Sequence, residues 1–398
     1  VDSFGTIRPG NSIGTLTVNG DLVLETTSNL IIEIDPTQSS QLVVLGERTL
    51  EGTLTVVPDI SGFFGLGASY TIETNTGNSP TGVFSSLNSP PNFIPTVDYF
   101  INSVVLNIFI QQPFLGFPYD NPNEESVGNN INALTSQGYL TASSPLGEAI
   151  NSLVGFPDSA INNALDQMHP AAFSAFAEIQ AALGGQLLTL FHRRPVPHCA
   201  CADRGRFWIE PYGNWLKEKN LGYELGFHAY SKGAALGFDG ELTDGWVLGL
   251  GAAWNDTHMH WAKGRGFSTI TGYYGSIYTD YTNDNFYLGL SCVAGWDRCY
   301  SSRHIRFSSI DEHARSTRHN LELMGQLTTA LFFGPSFCFA FPYLNIDYFY
   351  LKEKQANESG APGLNLQVYD HSGSTLRSEA GFAVQVQDVN RANTICLS

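Results

Sequence analysis

Four side chains that could hold a metal ion crowd into a short span: His192, His198, Cys199 and Cys201. Structural zinc sites space their thiolates in wider pairs such as Cys-x2-Cys, with a second pair elsewhere. The Cys199-Ala-Cys201 spacing points both thiols one way only in extended backbone. A basic stretch is therefore the favoured reading, and no metal site is expected there. His258 and His260 flank Met259 on one face near a strand end, which places them at a loop rim. Cys292 and Cys299 would pair only across a hairpin; Cys292 falls on an apolar face, and the pairing is left open. Glu210, Arg377 and Glu379 are groups that could exchange protons. The reading weighed above that one makes them polar groups that fix a neighbouring element. Gly10-Asn-Ser12-Ile-Gly14 matches the pattern of a nucleophile elbow, which needs a buried strand before it and a helix after it. Here Pro9 precedes and a strand pattern follows at 15–18, so Ser12 reads as a turn residue. No Walker loop, dinucleotide fingerprint or HExxH motif occurs. No catalytic residue and no cofactor is expected.

Composition narrows the class. A chain of 398 residues suggests two or three domains. Only 14% of residues are charged, while Gly (40), Phe (26) and Tyr (17) are abundant. That mix suits long β architecture with aromatic girdles. The net charge of −17 argues against a nucleic-acid footprint, and against electrostatic docking on anionic lipid, though not against insertion. Six cysteines are too scattered for a disulfide framework. No signal peptide is recognisable, and Val1 opens on a strand pattern; the expectation is a longer protein whose N-terminal part precedes Val1.

The elements that must position these residues follow in order. Residues 1–112 are strand and turn signals. Gly-Thr-Leu-Thr-Val occurs at 14–18 and again at 52–56, a spacing of 38 residues. Two solenoid turns of about 19 residues would give it, and a β-sandwich is the alternative. Residues 113–122 form a Pro/Gly/Asn break. From 124 the apolar spacing becomes helical, with Asp158 expected as a helix cap. Residues 171–191 carry one charge, Glu178, among many alanines and glycines. At 1.5 Å per residue this stretch spans roughly 30 Å. A lipid-exposed helix, a buried soluble helix and a helix threaded through a narrow channel all compete for it.

From 207 the period becomes two. Trp246, Leu248, Leu250, Ala252 and Trp254 oppose Val247, Gly249, Gly251 and Ala253. Phe286, Leu288, Leu290, Cys292, Ala294 and Trp296 oppose Tyr287, Gly289, Ser291, Val293 and Gly295. Similar alternation runs through 207–216, 321–331 and 376–387. Segments of about ten residues with one apolar face, joined alternately by short turns and long polar loops, are the pattern of a closed transmembrane barrel. A soluble barrel would turn its apolar face inward and carry more Lys and Glu outside.

The order of these parts resembles the C-terminal region of bacterial autotransporters (type V secretion). GTIRPGNSIGTLTVNGD resembles the end of a passenger β-helix. INNALDQMHPAAFSAFAEIQAALGGQLLTLFHRR resembles the linker and the helix that plugs the barrel. FWIEPYGNWLKEK and SKGAALGFDGELTDGWVLGLGAAW resemble its first barrel strands. The resemblance implies an all-β fold with a helical linker: a β-solenoid passenger end over 1–112, a linker over 113–206 with the plug helix at 171–192, and an outer-membrane β-barrel over 207–398. It implies a translocator that exports and displays its own passenger at the cell surface, with no enzymatic role. The alternative is a surface adhesin or structural β-protein whose barrel only anchors it. Implied partners are outer-membrane lipids, the barrel-insertion machinery and periplasmic chaperones, with no nucleic acid and the passenger's ligand unspecified. Lumen-facing structural residues would be Glu178, Glu210, Asn214, Gly249, Gly251, Gly289, Arg377 and Glu379, with the helix's small side chains packing on the three glycines and the lumen carboxylates. Two departures stand out. The family has twelve strands and ends in an aromatic, whereas about nine or ten strands are counted here and the tail 390–398 does not alternate, so the barrel is expected to be cut short. Some members cleave at an asparagine in the lumen, and 171–194 contains none.

Overall fold

The computed structural model describes residues 1–77, 79–191, 205–334, 338–387 and 394–397. His192, Arg193, Arg194, His198, Cys199 and Cys201 fall outside the described residues, as does most of the tail. The chain divides into two compact units. One comprises Val1–His169, Ile305–Glu312 and Ala361–Leu364; the other comprises Pro170–His304, His313–Gly360 and Asn365–Ser398.

The first unit begins as a coil of three short strands per turn. β1 (Asp2–Ser3), β2 (Thr6–Ile7) and β3 (Thr15–Val18) make one turn. β4 (Leu22–Leu24), β5 (Asn29–Ile34) and β6 (Gln41–Val44) make the next, and β7 (Arg48–Thr49), β8 (Thr53–Pro58) and β9 (Gly67–Asn75) the third. Equivalent strands stack in parallel, giving sheets β1-β4-β7, β2-β5-β8 and β3-β6-β9. Alternate residues point inward, so Leu30, Ile32 and Ile34 of β5 are buried together with Leu42, Val44, Leu54 and Val56. Gly52 turns the corner into β8 at φ +72°, and a Cβ there would lie 2.4 Å from the Ser28 carbonyl oxygen. β10 (Ser86–Asn88) extends the β8 sheet. β11 (Phe93–Tyr99) and β12 (Ser103–Ile110) close the coil as an antiparallel pair on β9.

The solenoid is as the sequence implies, but its period is not. Thr6 pairs with Asn29 and Asn29 with Thr53, 23 and 24 residues on; Thr15 pairs with Gln41, 26 residues on. The two Gly-Thr-Leu-Thr-Val stretches therefore lie in different sheets. Their likeness reflects one local job, a glycine turn followed by residues that alternate into the core.

Three helices complete this unit: α1 (Pro122–Ser136), α2 (Pro145–Asn151) and α3 (Asp158–Leu165). Asn121 and Glu124 form a capping box on α1, and Ser144 caps α2. Asp158 is the first helical residue of α3, not its cap; Pro157 holds that position and makes no side-chain cap bond. A carboxylate in the first turn still suits the helix dipole.

In the second unit a 3-10 turn, Pro170–Phe173, leads into α4 (Ser174–Phe191). The antiparallel strands β13 (Arg206–Glu218), β14 (Phe227–Thr243), β15 (Trp246–Trp261), β16 (Gly266–Thr282), β17 (Phe286–Phe307), β18 (Ile310–Leu331) and β19 (Cys338–Glu353) follow as neighbours. Two short strands, β20 (Ala356–Asn357) and β21 (Gln367–Val368), lie in the connection to β22 (His371–Gln387), and β23 (Thr394–Leu397) ends the order. This makes a nine-stranded sheet, in which β13 and β23 are not paired with each other among the described residues. The expected linker 113–206 is thus divided, with α1–α3 in the first unit and α4 in the second.

The two faces of the sheet differ. On β15, Trp246, Leu248, Leu250, Ala252 and Trp254 are exposed while Gly249, Ala253 and Asn255 are buried. β17 repeats this: Leu290, Cys292, Ala294 and Trp296 are exposed, and Gly289, Ser291, Val293 and Asp297 are buried. An apolar face turned outward over a polar and glycine-rich inner face is stable only where lipid replaces water outside. Aromatic residues bound the outward band, Trp246 and Phe286 at one end, Trp254 and Trp296 at the other. On these strands the two rows lie about 27–34 Å apart along the chain, or roughly 20–26 Å in height at a 40° tilt. Among the described residues no helix is long and apolar enough to cross a membrane.

Candidate functional site

α4 lies along the inner face of the sheet. Its buried positions, Ala175, Phe176, Ile179, Gln180, Leu183, Gly184, Leu187, Leu188 and Phe191, recur at three- and four-residue spacing, so one stripe faces the strands. Glu178, Ala181 and Ala182 lie on the opposite, exposed side. The helix runs from the long-loop end of the sheet toward the short-turn end. At the first end, Phe173 and Phe176 pack edge-on against Trp261, whose Nε1 donates to the Ala172 carbonyl at 2.9 Å. The Arg318 guanidinium sits 4.4 Å from the Phe176 ring centre. At the other end, Phe191 meets Trp208 and Tyr278, and its ring occupies the space that a Cβ on Gly251 would take.

Midway, Gln180 is fully buried and bonded to residues of two strands. Its amide nitrogen donates to Asp297 Oδ2 on β17 at 2.5 Å and to Glu322 Oε1 on β18 at 2.7 Å. Its oxygen accepts from Asn320 Nδ2 at 3.0 Å. The two donors of the amide are thus spent on two carboxylates, and its acceptor is occupied as well. Tyr274 on β16 donates to the other Asp297 oxygen at 2.9 Å. One turn on, Gly184 faces Phe349 and Met324 so closely that a Cβ would lie 2.9 Å from the ring. Beside this centre, Arg377 Nε donates to Asp347 at 2.9 Å, Gln326 donates to the same carboxylate at 2.8 Å, and Arg318 pairs with Glu353. Every one of these contacts fixes position. The arrangement seats a helix and holds it in register with the strands.

The residues singled out in the sequence fall as follows. Arg377 joins this network, and a Cβ added at Gly185 would lie 3.9 Å from its guanidinium. Glu379 accepts from Tyr343 at 3.0 Å. Glu210 and Asn214 lie on β13, on the same face as Trp208 and Tyr212. Six strands lie between β13 and β22 in the sheet order; Arg377 and Glu379 bond Asp347 and Tyr343 on β19. Gly249 and Gly289 are buried on the inner face. The space above Gly249 is filled by the Tyr278 ring and that above Gly251 by Phe191, so these glycines receive rings where small helix side chains were expected. Glu178 is exposed and shares a side-chain hydrogen bond with Glu218 at the end of β13.

The alternating pattern leaves Cys292 outside and Cys299 inside, both free thiols on opposite faces of β17. His258 stacks on Tyr230 and His260 on His228, all turned outward. Residues 11–13 form the turn between β2 and β3, with no helix after Ser12.

Gln180, Asp297, Asn320 and Glu322 were not singled out as a group. The available signal was parity: Asp297 continues the inward run 287–295, and Glu322 heads the polar face of β18.

Residues 207–395 match the family model described as the autotransporter beta-domain. A curated relative, the extracellular serine protease of Serratia marcescens, is 23% identical over 458 aligned residues. That alignment takes in 97% of this chain and 42% of the relative, so the chain spans less than half of the relative's length. Among solved structures, the translocator domain of autotransporter NalP from Neisseria meningitidis aligns at 13% identity and TM-score 0.42, over 55% of this chain and 73% of that one. The beta domain of the Bordetella autotransporter BrkA aligns at 16% identity and TM-score 0.38, over 49% and 75%.

Proposed function

We propose that residues 207–395, which match the autotransporter beta-domain family model, form a translocator in the outer membrane through which the chain moves and displays its own N-terminal part. In this reading residues 1–112 are the end of the passenger, 113–206 link it to the barrel, and 207–398 form the barrel. The observation that carries it is the direction of α4. The helix enters at the long-loop end of the sheet, where Phe173 and Phe176 meet Trp261. It finishes at the short-turn end, where Phe191 meets Trp208 near the start of β13. Outer-membrane barrels place long loops outside the cell and short turns in the periplasm. A chain that descends in this sense leaves everything before α4 outside. Gln180 and its carboxylate partners then hold the last-threaded segment in the lumen. Glu178, Glu210, Asn214, Gly249, Gly251, Gly289, Arg377 and Glu379 line that lumen as structural residues. The chain itself performs transport and display, with barrel-insertion machinery and periplasmic chaperones as partners in assembly.

The test is display. An epitope inserted after Gly77, an exposed position in the loop between β9 and β10, is expected to react on intact cells that express the chain behind a secretory signal. An epitope reachable only after the outer membrane is opened, with the beta-domain folded, contradicts the proposal. A second reading, in which a hydrolytic passenger is what is displayed, is favoured only by the alignment to the protein named extracellular serine protease. Peptidase activity at the surface of cells expressing the full-length protein would support it.

A further inference from the structure

We propose that the outward face of β16–β19, just beyond the aromatic row on the long-loop side, binds the phosphates of a phosphorylated glycolipid in the outer leaflet. The row itself is set by register. Trp254 pairs with Tyr273, and Tyr273 with Trp296, whose rings stack at 6.4 Å. Aromatic rings of this kind sit at headgroup depth. The next outward positions along the same ladders are Asp256, Thr271 and Arg298. On β18, His319 stacks on Trp296 at 4.8 Å.

The chain carries 37 acidic against 20 basic residues, so an outward face with no net bias would be acidic. This one is the reverse. Outward positions from 267 to 273 on β16, 296 to 300 on β17, 315 to 321 on β18 and 348 to 352 on β19 hold Arg298, Arg315, His319 and Lys352, and no carboxylate. Asp280, Asp297, Glu322, Asp347 and Glu353 of those strands face inward; Asp311 and Glu312 lie at the start of β18, outside these positions, and Asp311 is paired with Arg306 at 3.8 Å. Asp256, one strand further, is taken by Lys232 at 3.6 Å and His258 at 3.2 Å. Arg298 is exposed and forms no ion pair among the described residues. A guanidinium offers paired donors that match two phosphate oxygens, and Thr271 beside it adds a hydroxyl. Cations gathered at headgroup depth read as lipid-phosphate recognition. The acidity of the whole chain argues against attraction to anionic lipid, yet at these positions the outward charges are cationic while the neighbouring carboxylates face inward.

The inference rests on the outer-membrane placement of the sheet, and its test separates the two. The full chain, folded in zwitterionic detergent, is mixed with lipid A carrying both phosphates or with the same lipid after phosphatase treatment, and bound lipid is counted by native mass spectrometry. The phosphorylated lipid is expected to bind at least about tenfold more tightly. Arg298→Gln with Arg315→Gln and Lys352→Gln should abolish that preference while the unboiled protein keeps its altered gel mobility. Equal binding of the two lipids overturns the proposal, and needs no variant. So does an undiminished preference in the folded triple variant. Displacement of the lipid by millimolar inorganic phosphate alone would mean that the row holds free phosphate, and would overturn the lipid assignment. In each case a retained mobility shift leaves the translocator reading standing.

Discussion

Gln180 is the residue on which the seat of α4 turns. Its amide satisfies two buried carboxylates at once, and no aliphatic side chain can do that. Gln180→Leu should leave Asp297 and Glu322 without this donor, at about 1–3 kcal/mol for each buried acceptor unpaired. A lower urea midpoint in tryptophan fluorescence checks it, and adding Asp297→Asn and Glu322→Gln should recover part of the loss. In the solenoid, Glu73 is buried beside Arg48, whose Nε lies 2.9 Å away. Burial outweighs that cation and pushes the Glu73 carboxyl up to about 7, from an unfolded value of 4.5. A folded state that holds its proton more tightly is stabilised at low pH. The contribution is full below pH 4.5 and is lost as pH rises through 7. Far-UV circular dichroism in urea at pH 5 and pH 8 should show this fall in the wild type and a smaller one in Glu73→Gln. An equal fall in both would refute it.

At the scale of elements, Gly184→Leu should disrupt the docking of α4, because even a Cβ there lies 2.9 Å from the Phe349 ring. Overpacking of this kind costs about 1–3 kcal/mol, and a reduced fraction of mobility-shifted protein on unboiled gels would report it. The strands and their faces were legible in the sequence. Alternation has a period of two, and lipid outside makes the outward residues apolar, so Trp246–Trp254 and Phe286–Trp296 could be sided from sequence alone. The helix was legible from its single charge and its small residues, though Pro170–Phe173 winds as a 3-10 turn before it. The solenoid turn length was not. Each turn is set by where three corners fall, and a repeated pentapeptide marks a corner without saying which one. Nor were the partners of Gln180 legible, since Asp297, Asn320 and Glu322 meet it only after two strands far along the chain have paired.

At the scale of the molecule, the two units differ in the source of their stability. The first packs Leu, Ile and Val inside a coil, while the second is held by backbone ladders beneath an outward apolar surface. All six tryptophans lie in the second unit, so tryptophan fluorescence reports on it alone. Urea should therefore produce two transitions in detergent, with most of the solenoid's circular dichroism lost before the fluorescence changes. A single coincident transition would mean that the units unfold together. The most direct measurement is electrophoresis of boiled and unboiled outer-membrane fractions from cells expressing the chain behind a secretory signal. The account predicts a band in the outer membrane whose mobility changes on boiling, because ladders in lipid resist detergent until heated. A soluble product with one mobility, boiled or not, would contradict it.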